Sequence, residues 1–87
     1  MILREGSNME LYNAIKAFRR RGRYKSDREA IMALGTQAGY KKPDRIYDYV
    51  ANTRRPEADN RVILADLLKR DVKVLWPPKP RNAKEAH

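Results

Sequence analysis

The sequence predicts an all-α protein, a compact bundle of about five helices. Three observations favour this class: apolar residues recur at helical spacing, helix-start and helix-stop signals bound these stretches, and no stretch shows convincing strand alternation. With 87 residues the chain is long enough for one domain with one modest core. We expect that domain to span residues 8–77, after an arm over 1–7 and before a basic, flexible tail over 78–87.

The first predicted helix lies in SNMELYNAIKAFRRRGR. Ser7 followed three residues later by Glu10 is the pattern of a capping box, so we expect the helix to begin after Ser7. We expect Gly22 to end it, since glycine interrupts helices and the arginines before it suit the negative end of the helix dipole. One face of the helix carries the apolar residues Leu11, Ile15 and Phe18.

The second predicted helix lies in KSDREAIMALGTQAG. Ser26 and Glu29 form another capping-box pattern, and Gly39 is expected to end the helix in a left-handed conformation. Gly35 lies inside this helix, where glycine costs about 1 kcal/mol relative to alanine, which indicates a close approach of another segment. The buried face is expected to hold Ala30, Ile31, Leu34 and Ala38.

The third predicted helix lies in KPDRIYDYVANTRR. Pro43 suits the first helical position, because the N–H group that proline lacks has no helical partner there. Ile46, Tyr49 and Val50 fall on one face and are expected to point into the core. The segment RRP, residues 54–56, should end the helix.

The fourth predicted helix lies in ADNRVILADLLKRD, with Asp59 or Asn60 as its cap. It is the most apolar stretch of the chain, so we expect it to be the most central. A short final turn, VKVLW, follows it. The apolar residues expected in the core from this helix are Val62, Ile63, Leu64, Leu67 and Leu68.

Charge is the strongest global feature of the sequence. The chain has 20 Lys and Arg against 11 Asp and Glu, for a formal net charge of +9 and a pI near 10.2. Such a small, basic domain generates a positive field, and its expected partner is a polyanion, above all nucleic acid. No apolar run approaches the roughly 20 residues of a membrane span, and the start of the chain does not resemble a signal peptide. We therefore expect a cytoplasmic protein, associated with the nucleoid of a bacterial host.

The residues that catalysis needs are scarce. There is no cysteine, and the single histidine, His87, is the last residue. Ser7 and Ser26 are already expected as helix caps, which leaves no nucleophile paired with a base. The carboxylate pairs Asp44/Asp48 and Glu57/Asp59 lie among Lys and Arg and are expected to be solvated helix charges. The sequence therefore predicts a protein that is not an enzyme and has no catalytic residue, metal site, cofactor or small-molecule ligand.

The second and third helices have the pattern of a helix-turn-helix. Two short helices joined by a turn that contains glycine form this motif, and the first helix needs small residues where the second packs against it. Gly35 and Ala38 supply such residues, and Gly39 permits the bend. Tyr40 is expected to fill the core beside the turn. In such motifs the second helix enters the DNA major groove.

Two downstream segments strengthen this interpretation. RRP, residues 54–56, is similar to a basic K-x-P segment that follows the recognition helix in a known family, and LADLLKRDVKVLW, residues 64–76, is similar without a gap to that family's pattern LAKALGVSVDELF. The chain thus resembles the lambda-repressor-like family of Cro and xenobiotic-response-element regulators over most of residues 9–77. The ending VLWPP is similar to that of phage Ner-type regulators. One departure is the longer turn GYKKPDRI, which brings Ile46 about one residue later than in the family.

The resemblance implies a regulator that binds double-stranded DNA, most plausibly a phage or mobile-element repressor. Lys and Arg in the turn and third helix would donate to guanine, and Asp would accept from cytosine. Alternatively, Asp44 stabilises the helix start, Asp48 pairs with a nearby cation, and the lysines are solvated. The expected base-reading residues are Lys41, Lys42, Asp44, Arg45 and Asp48.

Flanking donors are expected to hold the DNA backbone. They include the start of the second helix and the basic run from Arg19 to Lys25, for which a solubilising helix end is the alternative. The expected phosphate-binding residues are Arg23, Lys25, Ser26, Arg28, Tyr47, Asn52, Arg54 and Arg55.

Members of the family act as dimers on pseudo-palindromic sites, so the resemblance implies a homodimer. We expect its interface at Val74, Leu75 and Trp76, with the alternative that Trp76 fills the core of its own domain. Another interpretation is a protein-interaction module, antitoxin-like or a phage regulator, with secondary DNA binding. RNA binding is a weaker alternative, because the aromatic platforms that stack RNA bases usually lie on a sheet.

Overall fold

The computed structural model describes residues 6–77 and forms five helices without a strand in that range. They are α1 (Met9–Gly22), α2 (Asp27–Gln37), α3 (Arg45–Val50), α4 (Ala58–Leu68) and α5 (Val72–Leu75). The prediction of an all-α protein with about five helices is confirmed. Most of the expected arm and the whole of the expected tail, residues 78–87, lie outside the described residues.

Helix α1 occupies the centre of the bundle, since it packs against each of the other four helices. Its residues Leu11, Ala14 and Ile15 are completely buried. The rest of the buried core comes from Phe18 of α1, from all the other helices and from the residue after α5: Phe18, Ala30, Ile31, Leu34, Ile46, Tyr49, Val50, Leu64, Ala65, Leu68, Leu75 and Trp76.

The prediction that α4 is the most central helix was wrong. Val62 and Ile63 are 59% and 42% exposed, although both were expected in the core. The reason is that α4 packs mainly against α1 and α5, which cover a single face of the helix. That face holds the buried residues Leu64, Ala65 and Leu68.

Asn8, rather than Ser7, caps α1. The Asn8 side chain accepts a hydrogen bond from the Leu11 amide at 3.1 Å and donates another to the Leu75 carbonyl at 2.8 Å. The Asn8 amide donates to the Val50 carbonyl at 2.8 Å. One residue therefore caps the first helix and ties it to the ends of α3 and α5, and these tertiary bonds explain why the chain starts the helix after Asn8.

The predicted cap of α2 is confirmed. The start of α3 was predicted two residues too early, and the cap of α4 was predicted two or three residues too late. Ser26 accepts a hydrogen bond from the Glu29 amide at 3.1 Å. Helix α4 begins directly after Glu57, so Asp59 and Asn60 lie inside its first turn. Helix α3 begins at Arg45 instead of Pro43, because the amides of residues 45–47 bond to carbonyls three residues earlier and form a tighter entry turn.

Gly35 of α2 lies directly against Pro43, which leads into α3. A Cβ atom at Gly35 would stand 2.6 Å from the Pro43 Cα and 2.7 Å from its carbonyl oxygen. Since these are backbone atoms, the contact cannot be relieved by a side-chain rotation. The close approach that the interior glycine predicted is thus present, and it sets the position of the turn and of α3 relative to α2. Gly39, with a φ of 91°, provides the bend between them.

We expect Gly35→Ala to destabilise the fold by about 2 kcal/mol, even though alanine is the better helix former, because the added methyl group overlaps the Pro43 backbone. Urea unfolding followed by circular dichroism measures this change. Thr36→Ala, at the exposed neighbouring position of α2, is the matched control and should change stability by less than about 0.5 kcal/mol. A Gly35→Ala variant more stable than the wild type would contradict the close approach.

Candidate nucleic-acid interface

An open groove of about 570 Å³ lies between the turn after α2, the start of α3 and the segment that leads into α4. It brings together three of the expected base-reading residues, Lys41, Lys42 and Arg45, with the expected phosphate-binding residues Arg54 and Arg55. The remaining lining residues are Tyr40, Tyr49, Glu57 and Asn60. Residues from three separate parts of the sequence thus form one surface with five cationic side chains and one carboxylate.

The groove is held in place by the buried face of α3. Ile46, Tyr49 and Val50 are 0%, 6% and 2% exposed, as their spacing predicted. Because these residues are anchored in the core, α3 cannot rotate, and Arg45 and the preceding turn stay at the surface. Asp44 is exposed directly before α3 and makes no capping hydrogen bond with its side chain, and it does not line the groove.

Asp48 forms an ion pair with Arg54, with its Oδ2 atom 3.6 Å from the Arg54 Nε atom. Its backbone carbonyl also accepts hydrogen bonds from the amide and hydroxyl of Thr53. The alternative considered for Asp48, pairing with a nearby cation, is therefore present in the structure. The pair is exposed and contributes little to stability, but it orients the Arg54 side chain at the edge of the groove.

Arg55 also has a structural contact. Its Nη2 atom donates to the carbonyls of Trp76 and Pro77, both at 3.3 Å. The guanidinium group thereby holds the end of α5 against the segment before α4 while it lines the groove. This second role was not predicted from the sequence.

Most cations of this surface have no acidic partner. Within residues 6–77 there are two ion pairs, Asp48–Arg54 and Arg19–Asp27. Lys41, Lys42 and Arg45 take part in neither, so solvent ions can gather around them. A polyanion that fills the groove would replace those ions and release them, which favours binding at low salt.

The other expected phosphate-binding residues divide into two groups. Arg23, Lys25, Ser26 and Arg28 are exposed around the junction of α1 and α2, beside a second small cleft of about 380 Å³. This junction and the turn at the groove lie at opposite ends of α2. The helix has 11 residues and is therefore about 16 Å long, which is the separation between the two groups of cations along its axis. Tyr47 is half-buried on α3, and exposed Asn52 donates to the Gly6 carbonyl at 3.1 Å.

The basic run at the end of α1 is ordered by Arg19. Its guanidinium group lies 3.0 Å from the Asp27 carboxylate and donates to the carbonyls of Tyr24 and Lys25. Tyr12 donates to the other oxygen of the same carboxylate at 3.1 Å. Arg19 thus connects α1 to α2, while the arginines after it remain at the surface.

Two of the three residues expected at a dimer interface are buried within the domain. Leu75 is 0% and Trp76 is 5% exposed, because both pack into the core of their own chain, and this corrects their assignment to a surface. Val74 is 44% exposed and lines an open cleft together with Met9, which is 48% exposed. This pair was not predicted, since Met9 precedes the apolar stripe of α1.

Tyr40 fills the core beside the turn, and its ring lies 6.0 Å from the ring of Tyr49. Its hydroxyl oxygen is buried and has no hydrogen-bond partner among the described residues. Burial raises the pKa of the Tyr40 phenol, and the neighbouring Tyr49 raises this pKa further. The phenol therefore stays protonated in the folded protein well above the pH at which an exposed tyrosine ionises.

No group of acidic or histidine side chains in residues 6–77 is arranged to hold a metal ion. None of the helices described is long and apolar enough to cross a membrane. Comparisons with protein-family models, with curated proteins and with solved structures found no match to this chain.

We expect Tyr40→Phe to leave stability at neutral pH unchanged or to raise it by about 1 kcal/mol, because it removes a buried hydroxyl group without a partner. The pKa of Tyr40 is higher in the folded than in the unfolded chain, so its contribution to stability is present below pH 10 and lost above it. The variant should therefore lose less stability than the wild type above pH 10. Burial also raises the pKa of Tyr12, so the stability of the Tyr40→Phe variant still depends on pH in this range, though less than that of the wild type.

Urea unfolding at pH 7 and at several pH values above 10 measures both effects. Tyr47→Phe, at a half-buried position, is the control. A Tyr40→Phe variant less stable than the wild type at pH 7 would show that the hydroxyl group has a partner.

Proposed function

We propose that the protein binds double-stranded DNA with sequence specificity and regulates transcription, with α2 and α3 as the two helices of a helix-turn-helix. The observation that carries this proposal is the groove, where Lys41, Lys42, Arg45, Arg54 and Arg55 converge beside the start of α3. The family resemblance adds that the regulator is a repressor of a phage or mobile element.

The mechanism uses two kinds of contact. Arg45 and the lysines of the turn reach base edges in the major groove, where Arg and Lys donate to the O6 and N7 atoms of guanine. Cations outside the groove, such as Arg28, hold the backbone phosphates and fix the register of the domain on the duplex. Tyr40 and Tyr49 line the same groove as these cations.

We expect Arg45→Ala to weaken binding to the preferred duplex by about 1–3 kcal/mol, with little effect on random DNA, because it removes a base contact. Arg28→Ala should weaken binding to both duplexes alike and reduce the salt slope by about one unit, because it removes a phosphate contact. Selection from a random duplex pool supplies the preferred sequence, and fluorescence anisotropy at several salt concentrations measures both affinities. Equal effects of the two substitutions would contradict the assignment of α3 as the reading helix, and no binding at low salt would contradict the proposed function.

The proposed regulator acts as a homodimer. With Leu75 and Trp76 in the core, the exposed apolar pair Met9 and Val74 supports a contact between copies at the end of α5. We expect Val74→Asp to shift sedimentation of the protein–DNA complex from two copies per duplex to one, since it places a charge in that contact. Val62→Asp, at a position on α4 that is 59% exposed against 44% for Val74, is the control and should leave the complex unchanged. A single copy per duplex in the wild type would contradict the dimer.

The second candidate function is a protein-interaction module in which DNA binding is secondary. The exposed apolar residues Val62 and Ile63 on the outer face of α4 favour it. This candidate predicts that the random-pool selection yields no preferred sequence, although the basic surface still binds duplexes at low salt.

A further inference from the structure

Glu57 occupies an unusual position in the groove. It is the single carboxylate among the residues that line the groove, and five cationic side chains surround the same space. Carboxylates in such surroundings commonly pair with a neighbouring Arg or Lys. Here the two ion pairs found within residues 6–77 involve other residues, so no Lys or Arg nitrogen of that range lies within 4.0 Å of the Glu57 carboxylate.

Glu57 has no evident role in the fold either. It precedes α4, yet its side chain makes no capping hydrogen bond. The residue is exposed, and the buried Pro56 before it fixes the backbone at this point. Glu57 and Tyr40 line the same groove. Burial is the main cause of the raised pKa of the Tyr40 phenol, and the negative charge of Glu57 adds a small contribution in the same direction.

A carboxylate acts on the two parts of a DNA duplex in opposite ways. It repels phosphate oxygens, which carry the same charge, and it accepts hydrogen bonds from the amino groups of cytosine N4 and adenine N6. The cations of the groove attract phosphates and bases alike, so by themselves they would hold a duplex in many registers. One unpaired acceptor among them penalises the registers in which a phosphate enters the groove.

We propose that Glu57 is a specificity residue of the DNA-binding groove, where it excludes the phosphate backbone and accepts a hydrogen bond from a base amino group. This inference rests on the proposed DNA-binding function. Neither the basic residues nor the third helix of the sequence predicted a role for Glu57. The residue lies more than ten positions after the turn between α2 and α3, so only the folded structure brings it to the groove.

The test compares Glu57→Gln with Asp59→Asn. Both substitutions remove one negative charge from the first turn region of α4, but Asp59 does not line the groove. Fluorescence anisotropy with a random duplex and with the duplex selected by the wild type gives four affinities and their ratios. We expect Glu57→Gln to bind the random duplex about tenfold more tightly than Asp59→Asn does, and the ratio of specific to random affinity to fall by a similar factor.

A second variant, Glu57→Ala, tests the hydrogen bond. Repeating the random-pool selection with this variant should relax the base preference at one position of the bound site and leave the others unchanged. Equal affinities of Glu57→Gln and Asp59→Asn for random DNA, or an unchanged selected site with Glu57→Ala, would overturn the inference while leaving the proposed function intact. Absence of any duplex binding by the wild type would instead overturn the proposed function.

Discussion

The contact between Gly35 and Pro43 is the constraint on which the candidate interface depends. The backbone at Pro43 lies so close to α2 that no Cβ atom fits between them, and this distance determines where the chain leaves the turn. The start of α3 follows two residues later, and its buried face locks into the core through Ile46. Lys41 and Lys42 therefore lie on a short turn whose two ends are both fixed, rather than on a loop that would have to be ordered when a ligand binds.

The distribution of charge gives the domain two different kinds of basic residue. Arg19 and Arg55 are held by a carboxylate or by carbonyl oxygens and stabilise the packing of the helices, while Arg54 is oriented by its exposed ion pair with Asp48. The side chains of Lys41 and Arg45 have no acidic partner in the part of the chain that the structure describes, so only the position of the backbone determines where they lie. Repulsion among cations of the second kind opposes folding of the free protein. An anionic ligand in the groove would relieve it, so binding of such a ligand would raise stability.

Local signals in the sequence were sufficient for features that depend on neighbouring residues. Ser26 as the cap of α2, the bend at Gly39 and the inward face of α3 all follow from spacing and residue type. Features decided by distant residues were missed or misplaced. Ser7 and Asn8 are both good caps, and only the bonds of Asn8 to Val50 and Leu75 distinguish them. The apolar residues of α4 surround the helix, so the sequence could not indicate that Val62 faces solvent, and Glu57 joins the groove only through the packing of α4.

Asn8 has a consequence for how the protein folds during synthesis. Its side chain binds the carbonyl of Leu75, 67 residues later in the chain, and α1 packs against α5 as well as against the helices between them. The central helix therefore stays incompletely covered until the last core residues have left the ribosome. Contacts of such long sequence separation slow folding relative to a bundle in which each helix packs only on its neighbour. Until Leu75 is available, the part of α1 that packs against α5 stays exposed in the growing chain.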